Sequence, residues 1–265
     1  MRHAVHQLRL FFIALQFFTR IPIPRWVGFD AAWLHHASRY FPLVGLVVAA
    51  LSAAVYAAAA LALPAPVAAL LATAAGIYAT GAFHEDGFAD MCDGFGGGMT
   101  RERVLVIMKD SRIGAYGAIG MACVLALKCV TLSLLPPAVA IAALLLAHPL
   151  SRLAAVALIW RMDYAREEGK AKPMAQQMSG AEFAIAALTA GACAAAIGIH
   201  GTLAWSTLGA AAAAAFAGAL WLARLFQRRI GGYTGDCLGA VQQTAEVLIY
   251  LCVLASLGHA AWRPF

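Results

Sequence analysis

The stretch PLVGLVVAALSAAVYAAAALAL, residues 42–63, contains no charged side chain. A helix of about 20 apolar residues is long enough to cross the hydrocarbon core of a bilayer, so this stretch predicts a membrane-spanning helix. The whole chain has the same character, with 63% hydrophobic and 12% charged residues. Soluble domains contain about 45–50% apolar and about 25% charged residues. The composition therefore predicts an integral membrane protein and argues against a soluble one.

Six further apolar runs of similar length follow in the sequence, at residues 66–83, 113–135, 137–160, 182–204, 206–223 and 244–261. An earlier apolar patch, Leu8 to Phe18, is shorter and is interrupted by Gln16. We predict that this patch forms an N-terminal helix that lies at the membrane interface or is tucked into the bundle. The expected fold is one all-α integral membrane domain, residues 1–265, with about seven transmembrane helices and this N-terminal interfacial helix.

Basic residues are concentrated in alternate connections of this topology. Residues 1–41, 84–112, 161–181 and 224–243 hold five, four, four and three of the 19 Lys and Arg residues. Loops rich in Lys and Arg stay in the cytoplasm, which predicts a cytoplasmic N-terminus, seven crossings and an outside C-terminus. The net charge of +6 follows from this topology. It therefore requires no nucleic-acid partner.

Four of the 13 acidic residues lie in the segment HEDGFADMCDGFGGG, residues 84–98. Asp86, Asp90 and Asp93 have the spacing i, i+4, i+7, which places them on one face of a helix. Carboxylates at this spacing repel one another unless a cation joins them, and oxygen ligands favour Mg²⁺, Mn²⁺ or Ca²⁺. We predict a metal site formed by these three residues, with Glu85 as a further ligand or as a group that supports the ligands. The alternative is a solvated loop whose acids pair with nearby basic residues, namely Arg101, Arg103 and Lys109.

Groups suited to phosphate follow the acids. Gly96 and Gly97 belong to a glycine run whose backbone N–H groups could face phosphate oxygens. Lys109, Ser111 and Arg112 then combine two cations with a hydroxyl, and arginine can hold phosphate with two parallel hydrogen bonds. The alternative is the ordinary basic flank of a membrane helix. Asp110, between the cations, does not fit that alternative well.

A third polar patch precedes the last apolar run, in the glycine-rich connection 224–243. Asp236 and Gln243 are seven residues apart and therefore share a helix face. Asp236 is either a functional carboxylate or a helix cap. Glu246 lies at the entry of the last span, where an acid is costly unless it is paired or functional, although the helix dipole also favours an acid there.

Five blocks of this sequence resemble the cobalamin (adenosylcobalamin-5′-phosphate) synthase family, also called the adenosylcobinamide-GDP ribazoletransferases. They are FTRIPIP at 18–24, YFPLVG at 40–45, DGFADMCDG at 86–94, MKDSRIG at 108–114 and TGDCLGA at 234–240. Their order and spacing cover nearly the whole chain. Glu85 departs from the family pattern, in which leucine is usual, and this weakens its assignment as an obligatory ligand.

The resemblance implies the last assembly step of the coenzyme B12 nucleotide loop. The expected substrates are adenosylcobinamide-GDP and α-ribazole or its 5′-phosphate, with release of GMP, and Mg²⁺ is the expected cofactor. Together with the basic connections, it predicts a bacterial cytoplasmic (inner) membrane protein whose active site faces the cytoplasm, with membrane lipid around it. A homo-oligomer or a complex with other corrinoid-assembly enzymes is compatible with this expectation.

Phosphoryl transfer requires positioning and charge neutralisation, and this requirement gives each candidate residue a role. Asp86, Asp90 and Asp93 would hold Mg²⁺, and Lys109 and Arg112 would share the remaining charge. A free carboxylate would accept the hydroxyl proton, with Asp110 or Asp236 as the candidates.

Two other functions compete with this one. A CDP-alcohol phosphotransferase also has acids at a cytoplasmic helix end, but its pattern continues with Ala-Arg and a second acid pair, whereas Asp90 follows Ala89 here. A cation transporter would require acids near the middle of broken spans.

Overall fold

The computed structural model describes residues 2–28, 30, 33–166 and 178–258. The described residues contain eleven α-helices and no strand, which confirms the all-α prediction. The helices are Arg2–Phe18 (α1), Leu34–Ala37 (α2), Phe41–Ala60 (α3), Ala65–Thr80 (α4), Phe83–Gly97 (α5), Arg101–Ile107 (α6), Ala115–Ser133 (α7), Pro137–Arg161 (α8), Gly180–His200 (α9), Trp205–Ile230 (α10) and Gly235–Ser256 (α11).

Six helices of the described chain, α3 and α7 to α11, are long and apolar enough to cross a membrane. The helices α4 and α5, with 16 and 15 residues, are too short alone and pass the same test only together, with a bend of 90° between them. The predicted number of about seven spans is therefore confirmed as six to seven. The largest boundary error is in α11, which begins at Gly235 and not near residue 244. The Thr234 hydroxyl accepts a hydrogen bond from the Cys237 N–H and caps this earlier start.

The bend between α4 and α5 comes from two consecutive left-handed residues. Gly81 has φ = 65° and Ala82 has φ = 60°. Glycine adopts this conformation without a steric penalty, whereas alanine is disfavoured in it, so the chain turns sharply here at some cost. As a result α5 lies at 90° to α4. Because α5 carries four carboxylates, we place it outside the membrane-spanning segments.

The centre of the bundle is formed by α8 and α11. In their most apolar windows 83% and 72% of the residues are buried, against 17% in α9. Large apolar side chains on the outer helices, such as Leu188, Ile199 and Trp221, are exposed instead. Exposed apolar side chains on the outer helices are typical of a bundle whose outer surface faces lipid.

The N-terminal helix α1 packs on the bundle. Leu10, Ile13, Ala14 and Phe18 are buried, whereas Leu8 on the opposite face is exposed. Of the two predicted placements of this segment, the structure favours a helix tucked against α2 and α3.

One end of the bundle contains α5, α6 and the start of α11, and we call it the site face. There α5 lies beside the start of α11, and the Arg229 side chain at the end of α10 donates to the Gly98 carbonyl at 2.5 Å. Arg101 at the start of α6 donates to the carbonyls of Ile230 and Ala165, at 2.8 and 3.0 Å. Two predictions fall partly outside the described residues: the basic connection 161–181, which includes Lys170 and Lys172, and the C-terminus after residue 258.

The topology makes a prediction of its own. Met99 lies at the site face, and the five spanning helices α7 to α11 separate it from Ser256 at the end of α11. In a cysteine-free background, Met99→Cys and Ser256→Cys should react with a membrane-impermeant maleimide from opposite sides of the membrane. Labelling of both positions from one side would contradict the arrangement of spans described above.

Candidate active site

Most of the connection 84–112 is helical, in α5 and α6, and all four of the acids at 84–98 lie on α5. Asp86 and Asp90 lie one turn apart on α5, and Asp236 lies in the first turn of α11. These three carboxylates interact electrostatically, so they form one acidic cluster at the crossing of α5 and α11. Asp86 is exposed, whereas Asp90 and Asp236 are partly buried.

The close crossing of the two helices depends on glycine. A Cβ atom at Gly87 would lie 2.9 Å from the Asp236 Cα atom, and one at Gly239 would lie 2.9 Å from the His84 carbonyl oxygen. Both distances are too short for any larger residue. Gly87 on α5 and Gly239 on α11 therefore allow the carboxylates of the two helices to come close together.

The cluster carries more negative charge than its surroundings compensate. Burial, followed by the neighbouring carboxylates of Asp236 and Asp86, raises the pKa of Asp90 to about 7. Like charges at close range disfavour simultaneous ionisation, and a bound cation would relieve the repulsion. The electrostatics therefore favour a cation at this cluster.

Arg166 is the one basic residue that contacts the cluster among the described residues, and no motif in the sequence singled it out. Its guanidinium forms an ion pair with the Asp236 carboxylate at 3.0 Å. The preceding residues are held by backbone hydrogen bonds, from Tyr233 N–H to the Asp163 carbonyl (3.0 Å) and from Ala165 N–H to the Tyr233 carbonyl (2.8 Å). These two backbone hydrogen bonds place Arg166 next to the start of α11.

Asp93 is directed away from the cluster. Its carboxylate accepts hydrogen bonds from the backbone N–H groups of Gly114 (2.7 Å) and Gly117 (2.8 Å), at the start of α7. These are N–H groups that a helix start leaves without intrahelical partners, so Asp93 caps α7 from a neighbouring helix. The spacing of Asp93 in the sequence is the spacing expected of a metal ligand. Its role as a cap of α7 is visible only in the fold.

A stability prediction follows from this cap. Asp93→Ala should lower the free energy of unfolding by roughly 1–2 kcal/mol, because two helix N–H groups lose their acceptor. Asp93→Asn keeps one carbonyl oxygen and should lose less. Thermal unfolding of both variants in the same detergent would measure this order. Equal stability of Asp93→Ala and the unsubstituted protein would contradict the assignment of Asp93 as a cap.

Glu85 also lies apart from the three carboxylates of the cluster. Its Oε1 accepts a hydrogen bond from Gln243 Nε2 at 2.8 Å, and its Oε2 has no hydrogen-bond partner among the described residues. Glu85 thus contacts the interior of the bundle through α11.

The interior beyond Glu85 contains a buried ion pair. Lys128 Nζ lies 3.2 Å from Glu246 Oε1, and both side chains are buried. Tyr250 and Gln242 also donate to the Glu246 carboxylate, at 3.0 and 2.5 Å. Of the interpretations open for Glu246, pairing is the one that the structure shows. In the sequence, this ion pair was indicated by the presence of two opposite charges inside predicted spans.

The predicted phosphate-binding residues lie in a different arrangement from the one expected. Lys109, Ser111 and Arg112 precede α7, which begins at Ala115, so no helix aligns the two cations. The Arg112 guanidinium is exposed and holds both oxygens of Asp110, at distances of 2.6 to 3.2 Å. Hydrogen bonds from Arg112 lower the pKa of Asp110 to about 2, which makes Asp110 a weak proton acceptor.

Gly96 and Gly97 form the last turn of α5, so their backbone N–H groups belong to the helix. A Cβ atom at Gly96 would lie 2.5 Å from the Tyr116 ring. Gly96 is therefore explained by the packing of α5 on α7.

The fit of Mg²⁺ to these residues can be judged from the donor set. No group of three His, Cys, Asp or Glu side chains among the described residues is arranged as a complete metal site. Mg²⁺, however, is commonly held by one or two carboxylates, with water and substrate phosphates completing its shell. Asp86 and Asp90 fit that requirement, with Asp236 facing them, whereas Asp93 and Glu85 do not.

Comparison with known proteins gives one consistent family. The family model described as cobalamin-5-phosphate synthase matches residues 10–254. The chain is 50% identical over 262 residues to the adenosylcobinamide-GDP ribazoletransferase of Leptothrix cholodnii, covering 96% of this chain and 97% of that protein. Proteins of the same name from Shewanella frigidimarina and Vibrio cholerae are 48% and 43% identical, covering 95% and 96% of this chain and 96% of each of those proteins. No solved structure matches the chain.

The match extends from α1 to α11 and includes α5, α11 and the acidic cluster between them. Its length and the near-complete coverage of the relatives identify this chain as a member of the cobalamin-5-phosphate synthase family.

Proposed function

We propose that the protein transfers α-ribazole, or its 5′-phosphate, to adenosylcobinamide-GDP with release of GMP, in a Mg²⁺-dependent reaction at the acidic cluster. The observation that carries the proposal is the crossing of α5 and α11, where Gly87 brings Asp86 and Asp90 against Asp236. The names of the relatives supply the substrate class.

In the proposed reaction a ribose hydroxyl oxygen attacks the phosphorus that carries the corrinoid arm. A new P–O bond forms, the bond to the bridging oxygen of the diphosphate breaks, and GMP leaves with that oxygen. Asp86 and Asp90 would hold Mg²⁺, which when bound supplies charge neutralisation to the diphosphate oxygens. The other contribution of the protein to catalysis is to position the two substrates.

Asp236 is the proposed acceptor of the hydroxyl proton. It faces Asp86 and Asp90 from α11, whereas the other candidate, Asp110, is bound by Arg112 outside the cluster. Thr234 Oγ1 and Arg166 contact Asp236 Oδ2, at 3.3 and 3.0 Å, and hold its orientation. Arg166 would also offer positive charge toward the reacting phosphates, the role predicted from the sequence for Lys109 and Arg112.

The membrane setting and the family match favour this reaction over the two competing functions. The second acid pair of a CDP-alcohol phosphotransferase has no counterpart in the sequence. The Asp carboxylates of the cluster lie at the end of the bundle, not in the middle of spans, where a cation transporter would need them.

The test is product analysis with the purified protein in lipid nanodiscs. With adenosylcobinamide-GDP, α-ribazole and Mg²⁺, we expect GMP and adenosylcobalamin in equal amounts, detected by liquid chromatography and mass spectrometry. Release of GMP without any corrinoid product joined to the nucleoside, when α-ribazole is present, would contradict the proposal.

A further inference from the structure

An aromatic pocket lies beside the acidic cluster and has no role in the mechanism above. Its residues come from α1, α3, α5, α8, α11 and the turn before α11. Four phenylalanine side chains form one wall, namely Phe17, Phe18, Phe41 and Phe83. Their rings meet edge to face, with centroids 4.4 Å apart for Phe18 and Phe41 and 5.4 Å apart for Phe17 and Phe83.

Few polar groups line the pocket, and two of them, the Arg152 Nε–H and the Tyr233 hydroxyl, lack a hydrogen-bond partner among the described residues. The Arg152 side chain is buried. Arg152 NH1 donates to the His148 carbonyl at 3.1 Å, so the guanidinium is held in place. A buried donor without a partner is costly, which indicates that a ligand or water supplies an acceptor.

The position of the pocket connects it to the acidic cluster. His84 lines the pocket two residues before Asp86, and Gly235 lines it one residue before Asp236. A nucleoside whose base occupied the pocket would therefore place its ribose close to the carboxylates.

We propose that this pocket binds the aromatic base of the acceptor nucleoside, an inference that rests on the proposed function. A benzimidazole-type base is a flat, uncharged bicyclic ring, and edge-to-face packing on phenylalanine suits such a ring. When one ring nitrogen carries the ribose, the other keeps a lone pair that can accept a hydrogen bond from Arg152 Nε–H. A lipid acyl chain would fill apolar space but would leave this donor without an acceptor.

The test is direct binding of radiolabelled α-ribazole to the protein in nanodiscs, measured by equilibrium dialysis. Phe83→Ala and Phe17→Ala should weaken α-ribazole binding about 5- to 10-fold, because each removes one ring from the phenylalanine wall. In steady-state assays the same variants should raise KM for α-ribazole and leave KM for adenosylcobinamide-GDP unchanged. Phe12→Ala is the matched control, because Phe12 lies on α1 with Phe17 but packs on Trp26 outside the pocket.

A second variant controls for a loss of folding in Phe83→Ala and Phe17→Ala. Ala155→Leu adds volume at the pocket lining and should also raise KM for α-ribazole. The pocket assignment would be overturned if Phe83→Ala, Ala155→Leu and the unsubstituted protein bound α-ribazole equally well and still catalysed the transfer. Loss of a co-purified lipid in Phe83→Ala with unchanged α-ribazole affinity would overturn it in favour of an acyl chain. Absence of any transfer by the unsubstituted protein would instead refute the proposed function.

Discussion

Asp86→Asn and Asp90→Asn should each lower kcat for ribazole transfer by roughly 10²–10³-fold, the size of effect seen when one preorganised electrostatic contact is lost. An amide is a poorer ligand for Mg²⁺ than a carboxylate, so charge on the diphosphate would be less well neutralised in the transition state. Both residues lie on the α5 surface that faces Asp236, and neither caps a helix as Asp93 does. The variants should therefore remain folded.

The measurement is steady-state kinetics in nanodiscs at saturating Mg²⁺, with thermal unfolding recorded for each variant. Glu102→Gln is the control, because Glu102 is a fully exposed acid in the first turn of α6, outside the cluster. It should keep its kcat. Unchanged kcat in both Asp variants would show that the cluster is a solvated acidic surface and not a catalytic site.

Glu246→Gln should destabilise the protein more than Asp93→Ala does, with a loss of about 3–5 kcal/mol in the free energy of unfolding. The cost arises because Lys128 would remain buried without a carboxylate beside it. Lys128→Met should also destabilise the protein, since it leaves the Glu246 carboxylate without its closest cation.

The double variant Lys128→Met with Glu246→Leu separates the ion pair from general damage to packing. Removing both charges together should recover much of the stability lost in each single variant, because neither Lys128 nor Glu246 is then left charged without the other. Unfolding temperatures in one detergent would provide this double-mutant cycle. Asp110→Asn serves as a surface control, because the Asp110–Arg112 pair is exposed and should contribute almost nothing to stability. Additive losses in the double variant would contradict the pairing.

The fold was largely predictable because lipid imposes a simple rule on the sequence. Runs of about 20 apolar residues have few alternatives to spanning helices, and basic connections alternate with uncharged ones. The bend between α4 and α5 was not predictable in the same way. It depends on the left-handed conformations of Gly81 and Ala82, and alanine provides no local signal for such a conformation.

The candidate site was predictable at Asp86, Asp90 and Asp236, where polar residues interrupt apolar sequence. The uses of Asp93 and Arg166 were not predictable. Helical spacing shows which residues share a face, but it does not show which neighbouring helix that face meets. Asp93 meets the start of α7, and Arg166 reaches Asp236 through a backbone bridge between segments far apart in sequence.

The measurement that tests the central claim most directly is cation binding by the acidic cluster itself. Mn²⁺, a spectroscopic substitute for Mg²⁺, can be titrated into the protein in nanodiscs in the presence of adenosylcobinamide-GDP and followed by electron paramagnetic resonance. We predict one bound Mn²⁺ per chain in the unsubstituted protein and in Glu102→Gln, and loss of that bound ion in the double variant Asp86→Asn with Asp90→Asn. Full Mn²⁺ binding by the double variant would show that the cation is held elsewhere and would contradict the assignment of the cluster as the metal site.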